Sequence, residues 1–267
     1  MKTYQMLVTG CLFLGACVQQ KPHNKTVTLD YYFNHEVRKA PDGSLHRFHY
    51  TWEDTTYDGY SKFGNIFREN GVVTKSLDAP PTADSLKGTD IYIIVDPDTK
   101  AESPAPHYIA PEDVKVIDDW VRAGGVLVLF ANDSSNAELP HLNTLAETFG
   151  IHFNSDFLNP VPGDSFDLGC FQIPANDSIF KTARKIYLKG ICSLTVSGDA
   201  QAHLTSPDGH VIIATAKYGK GTVFAVGDPW IYNEYVNGRL PASYHIDNDK
   251  AADDLVKWLI SQVPAEK

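Results

Sequence analysis

Cysteine and methionine are scarce in this chain of 267 residues, which contains four cysteines and two methionines. No two cysteines form a Cys-x-x-Cys pair, so the sequence does not indicate a zinc knuckle. The chain also lacks a basic cluster and carries a formal net charge of −10. Such a surface would repel a phosphate backbone, which excludes a nucleic acid as the expected partner.

Motifs of the common catalytic machineries are absent as well. The sequence contains no Gly-x-Ser-x-Gly elbow, no Walker loop and no His-Glu-x-x-His zinc motif. Four aspartates follow predicted strands and could offer oxygen ligands to a hard cation: Asp96, Asp98, Asp133 and Asp228. Their spacing is not that of a calcium loop. We therefore assign no metal site and no cofactor, and binding of a hard cation by these carboxylates stays an open alternative.

The N-terminus combines a positive charge at Lys2 with a short apolar stretch, residues 6–14. This stretch is too short to span a bilayer as a permanent helix, so it indicates a removable signal segment. It ends in residues 14–17, Leu-Gly-Ala-Cys, which resemble the lipobox of bacterial lipoproteins. We therefore expect a lipid on Cys17, and an ordinary signal peptide with an incidental cysteine is the alternative.

These features divide the chain into a signal peptide (1–16), a lipidated tether (17–26) and one α/β domain (27–267). No acidic residue occurs between Cys17 and residue 25. Because an acidic patch at this place tends to accompany export to the cell surface, we expect the periplasmic side of the membrane. The cell surface is the alternative. Contact with the membrane is predicted through the lipid anchor only.

Apolar periodicity predicts alternating strands and helices over most of the domain. Strands are indicated at residues 26–33, 72–77, 90–95 and 126–130, and helices at 59–70, 111–123, 139–149 and 249–262. The strands that end at residues 95 and 130 are apolar almost throughout, as in strands that are covered on both faces. The pattern predicts an α/β fold with a doubly wound, mostly parallel sheet.

The segment from about 151 to 216 departs from this alternation and is expected to be a β-rich insertion within the same domain. A hairpin is predicted where residues 210–218 meet 221–226 across a Gly-Lys turn. Cys170 and Cys192 fall in predicted strands of this half. In an oxidising compartment they can form a disulfide, and two separately buried thiols are the alternative.

Polar residues follow several predicted strands, at the edge where open α/β sheets bind their ligands. Two segments, 46–54 and 228–235, add aromatic rings, imidazoles and carboxylates. Aromatic faces beside carboxylates and amides suit a sugar. The candidate ligand-binding residues are Arg47, His49, Trp52, Asp54, Asp96, Asp98, Asn132, Asp133, Trp230, Tyr232, Asn233 and Glu234.

Within this set, Trp52, Trp230 and Tyr232 would stack on sugar rings, whereas the carboxylates and amides would bind hydroxyl groups. Arg47 and His49 would face an acidic sugar, since a guanidinium matches a carboxylate in bidentate geometry. The other explanation is structural. Asp, Asn, Gly and Pro are ordinary turn formers, and the aromatic segments can also be partly buried loop clusters.

Four stretches of the sequence carry a resemblance to a known domain: residues 47–54, 92–99, 123–128 and 226–235. They are similar to an uncharacterised domain found fused behind unsaturated rhamnogalacturonyl hydrolases (glycoside hydrolase family 105) of glycan-degrading bacteria. The resemblance implies a flavodoxin-like or class I glutamine amidotransferase-like fold. It also implies a setting in the breakdown of pectin-like or uronic-acid-containing glycans. The amidotransferase cysteine is absent here, because residues 130–134 read Phe-Ala-Asn-Asp-Ser.

Three functions follow from the sequence. The first is a glycan-processing lipoprotein that binds a pectin-like or uronic-acid-containing oligosaccharide at the strand ends. The second is a glycoside hydrolase at the same edge, with Glu53 as general acid and Asp228 as base or nucleophile. The third is a scaffold that docks a partner glycan-degrading enzyme. The sequence does not decide whether the protein is an enzyme.

Overall fold

The computed structural model describes residues 24–236 and 240–265, so the expected signal peptide and the lipidation site at Cys17 lie outside the described residues. The strands are β1 (Thr26–Asp30), β2 (Val37–Lys39), β3 (Leu45–Arg47), β4 (Val73–Leu77), β5 (Ile91–Val95), β6 (Val126–Phe130), β7 (Ile151–Phe153), β8 (Cys170–Gln172), β9 (Lys185–Tyr187), β10 (Leu194–Val196), β11 (Gln201–Thr205), β12 (Val211–Tyr218) and β13 (Gly221–Val226). The helices are α1 (Ser61–Glu69), α2 (Pro111–Ala123), α3 (Leu139–Ala146), α4 (Asn233–Val236) and α5 (Asn248–Gln262). In this part of the chain, no helix is long and apolar enough to cross a membrane.

Nine strands form one sheet within the described residues. Five of them lie side by side in the order β4-β1-β5-β6-β13, and each neighbouring pair in this group is parallel. Helices pack on the sheet from both sides. The predicted α/β fold, with a large, mostly parallel sheet flanked by helices, is therefore confirmed.

The faces of the sheet explain why its central strands are apolar throughout. Along β6, Val128 points to one hydrophobic cluster, which includes α1 and α5, and Leu127 points to the other, which includes α2 and α3. Side chains alternate between the two faces of a strand, so a strand covered on both sides needs apolar residues at every position. Val126–Phe130 is accordingly fully buried.

The remaining strands extend the sheet in the antiparallel sense. β12 and β13 form the predicted hairpin, in which Tyr218 pairs with Gly221. Gly219 takes a positive φ of 57° in the turn, a conformation that suits glycine. β10, β7 and β11 continue this edge, whereas β8 and β9 form a separate pair. The β-rich segment thus contributes strands mainly to the main sheet.

The first strand is shorter than predicted, because β1 ends at Asp30 and not at residue 33. The Asp30 carboxylate accepts hydrogen bonds from the backbone N–H groups of Phe33 (2.8 Å) and Tyr32 (3.2 Å). These local bonds turn the chain out of the sheet. Residues 31–36 therefore belong to the loop at the strand end.

The two cysteines of the β-rich half do not form the disulfide considered above. Cys170 and Cys192 are both free thiols; Cys170 is half-buried and Cys192 is buried. The Cys170 thiol donates to the backbone carbonyl of Phe166 at 3.3 Å. The alternative of two separate thiols describes the structure.

Candidate functional site

Two cavities lie at the carboxyl ends of the parallel strands. The strand-end cavity, about 260 Å³, lies where β5 and β6 end and is lined by His49, Tyr50, Asp58, Asp96, Glu102, Asn132, Asn136 and Tyr232. The hairpin cavity, about 730 Å³, lies between the β2–β3 hairpin and residues 51–56. Its lining residues are Tyr31, Arg38, Lys39, Ala40, Pro41, His46, Arg47, Thr51, Glu53, Asp54, Thr55 and Thr56.

The strand-end cavity brings together four residues that the sequence singled out: His49, Asp96, Asn132 and Tyr232. They come from distant parts of the chain. Asp96 follows β5 directly, and Asn132 lies two residues after β6. Because β5 and β6 are parallel neighbours, their ends meet at one edge, as sequence reasoning expected.

Asp96 is the most unusual residue of this cavity. It has a positive φ of 45°, and its side chain is buried. One carboxylate oxygen, Oδ1, is buried without a hydrogen-bond partner, while Oδ2 accepts a long bond of 3.4 Å from the Asn132 amide. Burial raises the pKa of Asp96 well above its usual range, and the charge of Glu102 adds to this. The Tyr50 hydroxyl, which lies nearby without forming a regular hydrogen bond to Oδ1, and the Asn132 amide partly oppose the shift.

The backbone is strained on the opposite wall as well. His49 and Tyr50 are consecutive residues with φ values of 57° and 49°. Left-handed conformations are uncommon for residues other than glycine, and they cost free energy that the surrounding structure must supply. Three such residues therefore line one cavity, counting Asp96. Clusters of this kind are typical of functional sites.

His49 is held between two carboxylates. Its Nδ1 lies 2.6 Å from Glu36 Oε1, and its Nε2 lies 3.6 Å from Asp58 Oδ2. Burial by itself would lower the pKa of His49, but hydrogen bonding to Asp58 and Glu36 outweighs it and raises the pKa to about 10. The imidazole is therefore a cation at neutral pH.

Glu102 completes the acidic side of the strand-end cavity. Its Oε2 accepts hydrogen bonds from the backbone N–H and the hydroxyl of Thr99, both at 2.9 Å. Burial raises the pKa of Glu102, the bonds from Thr99 oppose this shift, and the charge of Glu36 reinforces it. Carboxyl groups thus outnumber the single imidazolium around this cavity.

Arg47 lies in the hairpin cavity rather than beside His49. Its Nη2 donates to the carbonyls of Tyr31 (2.8 Å) and Asn34 (2.6 Å), and its Nη1 lies 3.2 Å from both carboxylate oxygens of Asp78. The Nε atom is buried and has no partner. Most of the guanidinium therefore holds the hairpin against the strand ends, instead of standing free for a sugar carboxylate.

The candidate catalytic pair does not share a cavity. Glu53 is exposed, lines the hairpin cavity and accepts a hydrogen bond of 2.6 Å from the Tyr31 hydroxyl. Asp228 is buried, lies outside both lining sets and accepts a bond of 2.9 Å from the Lys189 N–H. Its pKa is raised well above the usual range, mainly by burial. The arrangement does not support these two residues as carboxyl groups that flank one bond.

Both candidate stacking tryptophans belong to the hydrophobic core. Trp52 donates from Nε1 to the Lys75 carbonyl at 2.8 Å and packs beside Phe63. Trp230 has no exposed surface and packs edge-on against Phe180. Neither ring offers a face to a ligand, because helix and loop packing covers both. The sequence cannot distinguish these core rings from surface rings, since both kinds stand in aromatic-rich loops.

Other predicted residues have structural roles in the loops. Asp133 is buried and accepts from the Ser135 N–H at 2.9 Å and from the Asn136 amide at 2.7 Å. Asp98 accepts from the His35 N–H at 3.0 Å, and its second oxygen is buried without a partner. Burial raises the pKa of Asp98 to about 7. Neither residue lines the strand-end cavity.

Asn233 ties α4 to the start of α1. Its side chain accepts from the Lys62 N–H at 2.9 Å and donates to the carbonyls of Asp54 (3.0 Å) and Thr56 (2.8 Å). Asp54 in turn binds the Thr56 N–H at 2.8 Å through Oδ1, while its Oδ2 is buried without a partner. Glu234 follows in α4 and lines neither cavity.

Sequence reasoning missed Tyr50, Asp58, Glu102 and Asn136, which line the same cavity as the four predicted residues. Tyr50 and Asp58 lie beside the predicted aromatic segment, and Asn136 lies beside the predicted Asp133, so proximity along the chain was the available signal. For Glu102 the sequence offered no such signal. In the described part of the chain, no group of three or more His, Cys, Asp or Glu side chains is arranged to hold a metal ion.

The fold is that of an α/β domain with a polar cavity at the ends of its parallel strands. The chain belongs to the DUF4350 family, described as a domain of unknown function, whose profile matches residues 53–236. No curated protein matches the sequence significantly. The matched residues include all of the strand-end cavity except His49 and Tyr50.

Solved structures of similar fold have low sequence identity to this chain. The N-terminal domain of mmIFT52 is 18% identical, with a TM-score of 0.67, and the match covers 89% of this chain and 98% of that domain. A cytoplasmic protein from Salmonella typhimurium is 14% identical, with a TM-score of 0.57 and coverage of 90% and 100%. The β-galactosidase from Bacillus circulans sp. alkalophilus is 11% identical, with a TM-score of 0.51, and the match covers 90% of this chain and 31% of the enzyme. These likenesses concern the fold alone.

Proposed function

We propose that the protein binds a glycan, with one sugar unit seated in the strand-end cavity. The observation that carries this proposal is the state of Asp96, which lies at the end of a central strand, is strained and buried, and has one unpartnered carboxylate oxygen. A buried polar atom without a partner costs free energy until a donor reaches it. A sugar hydroxyl is a donor that could approach from the cavity.

The neighbouring groups suit the rest of a sugar ring. The amides of Asn132 and Asn136 can both donate to and accept from hydroxyls, and Glu102 accepts from them. The half-buried Tyr232 ring, whose centroid lies 6.2 Å from that of the buried Tyr50, supplies the aromatic surface that was expected of the tryptophans. Polar hydrogen-bonding groups beside aromatic rings are the usual components of a sugar site.

The size and charge of the strand-end cavity restrict which part of a glycan it can bind. Its volume of about 260 Å³ is small beside the roughly 300–1,000 Å³ of most small-molecule pockets. It therefore suits one terminal sugar unit rather than several. The His49 imidazolium is already paired with Glu36 and Asp58, so the lining residues offer no free positive charge to a carboxylate and favour neutral hydroxyls. In a uronic-acid-containing or pectin-like oligosaccharide, the acidic units would lie outside this cavity.

Glycoside hydrolysis at the same cavity is the second candidate function. It is favoured by the raised pKa values of Asp96 and Glu102, since a glycosidase needs one carboxyl group that stays protonated. This pair replaces Glu53 and Asp228. We expect Asp96→Asn or Glu102→Gln to abolish release of a reducing sugar. If wild type releases none from a panel of oligosaccharides that it binds, hydrolysis is excluded for those glycans.

The wider setting follows from the sequence. The resemblance to a domain fused behind unsaturated rhamnogalacturonyl hydrolases supports a role in glycan breakdown, with a class I amidotransferase-like or flavodoxin-like fold. The parallel strands β4-β1-β5-β6-β13 have the order 2-1-3-4-5 of flavodoxin-like sheets, which favours that class. We propose a lipid anchor at Cys17 on the periplasmic side of a bacterial membrane.

Calorimetric titration with neutral monosaccharides and with neutral and uronic-acid-containing oligosaccharides tests the binding proposal. We expect a neutral terminal sugar to bind and Asn132→Ala to weaken binding about tenfold, because one hydrogen-bonding side chain of the cavity is removed. Asn176→Ala is the matched control, since Asn176 is exposed and lies outside both cavities. Absence of heat with every glycan, or equal affinity in the two variants, would refute the proposal.

A further inference from the structure

The hairpin cavity is separate from the proposed sugar site and shares no lining residue with it. One wall is the β2–β3 hairpin, which contributes Arg38, Lys39 and Arg47. The facing wall is the loop of residues 51–56, which contributes Glu53 and Asp54. The two walls therefore carry opposite charges across a space of about 730 Å³.

These charges do not neutralise one another. Among the ion pairs of the described residues, none includes Arg38, Lys39, Glu53 or Asp54. The Arg38 guanidinium lies 5.3 Å from the centre of the Phe48 ring, which holds it on the hairpin. Arg38, Lys39 and Glu53 are exposed, so their charged groups are open to the space between the walls. Here the two segments stay apart around the cavity.

A second observation points to a missing ligand. Each wall has a buried polar atom without a hydrogen-bond partner in the described part of the chain: Arg47 Nε on the hairpin and Asp54 Oδ2 on the loop. Asp54 has a side chain that is 8% exposed, so its second oxygen is not satisfied by bulk solvent. The Arg47 donor requires a hydrogen-bond acceptor, and the Asp54 acceptor requires a donor.

We propose that the hairpin cavity binds a small zwitterion of the amino-acid or dipeptide class. The ligand carboxylate lies toward Arg38 and Lys39, and its ammonium group lies toward Glu53 and Asp54. The hydroxyl of Thr51, Thr55 or Thr56 can bond to the ligand between these ends. This is a second binding site, independent of the sugar site at β5 and β6.

The charge of the walls distinguishes this ligand from simpler ones. An anion would pair with Arg38 and Lys39 but would be repelled by the carboxylates of Glu53 and Asp54. A cation would pair with these carboxylates but would be repelled by Arg38 and Lys39. A neutral sugar would leave both sets of charges without a counter-charge. A molecule with one charge of each sign at its two ends satisfies both walls, because complementary charge favours the right partner and penalises the wrong one.

Calorimetry with four forms of one dipeptide tests the proposal. The probes are alanyl-alanine, its N-acetyl form, its amide, and the N-acetyl amide, which are zwitterionic, anionic, cationic and neutral. We expect alanyl-alanine to bind and each singly blocked form to bind about fivefold more weakly, since an exposed ion pair contributes modestly. Glucuronate serves as an anionic sugar for comparison and is expected to bind more weakly than the dipeptide.

Variants of the two walls assign the ends of the ligand. The double variant Arg38→Gln, Lys39→Gln should weaken binding of the N-acetyl form and leave the amide form unchanged. Glu53→Gln should do the reverse. Lys87→Gln and Asp84→Asn are matched controls at exposed positions outside the cavity. Circular dichroism of each variant shows that the fold is retained.

Three results would overturn the proposal: no binding of alanyl-alanine, equal affinity for the four forms, or tighter binding of glucuronate than of the dipeptide. The last result would make the hairpin cavity part of a glycan site. Asn132→Ala separates the two proposals, because it should lower the affinity for the neutral sugar and leave the affinity for the dipeptide unchanged. If wild type binds the dipeptide but no neutral sugar, the strand-end site is wrongly assigned. If it binds the sugar but not the dipeptide, the hairpin site is wrongly assigned.

Discussion

At the scale of single residues, Asp96 is where stability and the proposed sugar binding oppose each other. Its left-handed backbone, its burial and its unpartnered oxygen each cost free energy in the protein without a ligand. Strain of this kind persists where the surrounding structure holds it in place, and it recurs at binding sites. The direct consequence is that replacing the carboxyl group by a neutral amide should stabilise the fold.

We expect Asp96→Asn to raise the free energy of unfolding by about 1 kcal/mol, because asparagine tolerates a positive φ and does not ionise, whereas the buried carboxyl group must be held protonated above its usual pKa. The same change should weaken sugar binding about tenfold, since an amide nitrogen that cannot accept a hydrogen bond replaces one of the two side-chain oxygens. Asp96→Ala should be less stable than Asp96→Asn, because alanine is poorly suited to this conformation.

Urea unfolding and calorimetry measure the two effects of Asp96→Asn. Asp84→Asn, on an exposed turn, is the control and should change neither quantity. A lower unfolding free energy for Asp96→Asn, or unchanged sugar affinity, would contradict the assignment of Asp96 to the site.

Asp30 makes stability depend on pH. Burial raises its pKa from 3.8 to about 7, and hydrogen bonds from the Tyr92 hydroxyl and the Phe33 N–H only partly oppose this shift. The unfolded chain therefore loses this proton at lower pH than the folded chain. Stability should fall as pH rises from about 4 to about 7, by about 2 to 4 kcal/mol from this group, and then level off.

Asp30→Asn should flatten this part of the pH profile, because the asparagine oxygen can accept from the Tyr32 and Phe33 N–H groups while its NH2 group donates to the Tyr92 hydroxyl, all without ionising. Urea unfolding of wild type and variant at pH 4.5, 6 and 8 gives the comparison. Identical slopes in the two proteins would show that Asp30 does not titrate in this range. The exposed Asp84→Asn variant again serves as the reference.

At the scale of elements, Arg47 holds the β2–β3 hairpin to the main sheet. Its guanidinium joins the hairpin to the carbonyls of Tyr31 and Asn34 and to Asp78, which follows β4. Removing it leaves two carbonyl groups without their charged donor. We expect Arg47→Ala to lower the free energy of unfolding by about 1 to 3 kcal/mol.

Hydrogen exchange should locate this effect in the hairpin. Amides of residues 37–47 are expected to exchange faster in Arg47→Ala, with little change in β5 and β6. Arg38→Ala is the matched control, because Arg38 lies on the same hairpin and makes no ion pair in the described chain. Equal exchange in the two variants would show that Arg47 does not anchor the hairpin.

Elements with strong apolar periodicity were predictable from the sequence. β5, β6, α2 and the β12–β13 hairpin lie where the spacing placed them, because their side chains pack on both faces of one sheet. The hairpin of β2 and β3 was not predicted. Its strands have three residues each and lie largely exposed, so no apolar pattern marks them.

The candidate site was predictable in part for the same reason. Asp96 and Asn132 follow strands with clear signals, so their position at the edge followed from the parallel sheet. The tryptophans and the pair Glu53 and Asp228 were misjudged, because burial and the separation of loops depend on how distant segments pack. Composition shows that a loop is aromatic, but it does not show which ring is covered.

At the scale of the whole molecule, strand order separates the two cavities. The hairpin packs over the ends of β1 and β4, whereas the strand-end cavity lies over β5 and β6. Residues 47 and 49, neighbours in the sequence, consequently belong to different sites. The single edge expected from the sequence thus carries two separate cavities in the structure.

The proposed anchor predicts where the molecule is found. In a bacterial host that processes lipoproteins, wild type should sediment with the membrane fraction and become soluble only with detergent. Cys17→Ser should remain outside the membrane fraction, because the acylated side chain is lost. Cys11→Ser is the control and should stay with the membranes. Equal partition of both variants would contradict lipidation at Cys17.

A crystal structure with a bound neutral sugar tests the central claim most directly. The account predicts electron density for one sugar unit in the strand-end cavity, with a hydroxyl within hydrogen-bonding distance of the Asp96 carboxylate and another near the Asn132 amide. Density for the sugar in the hairpin cavity, or elsewhere on the surface with the strand-end cavity unchanged, would contradict it.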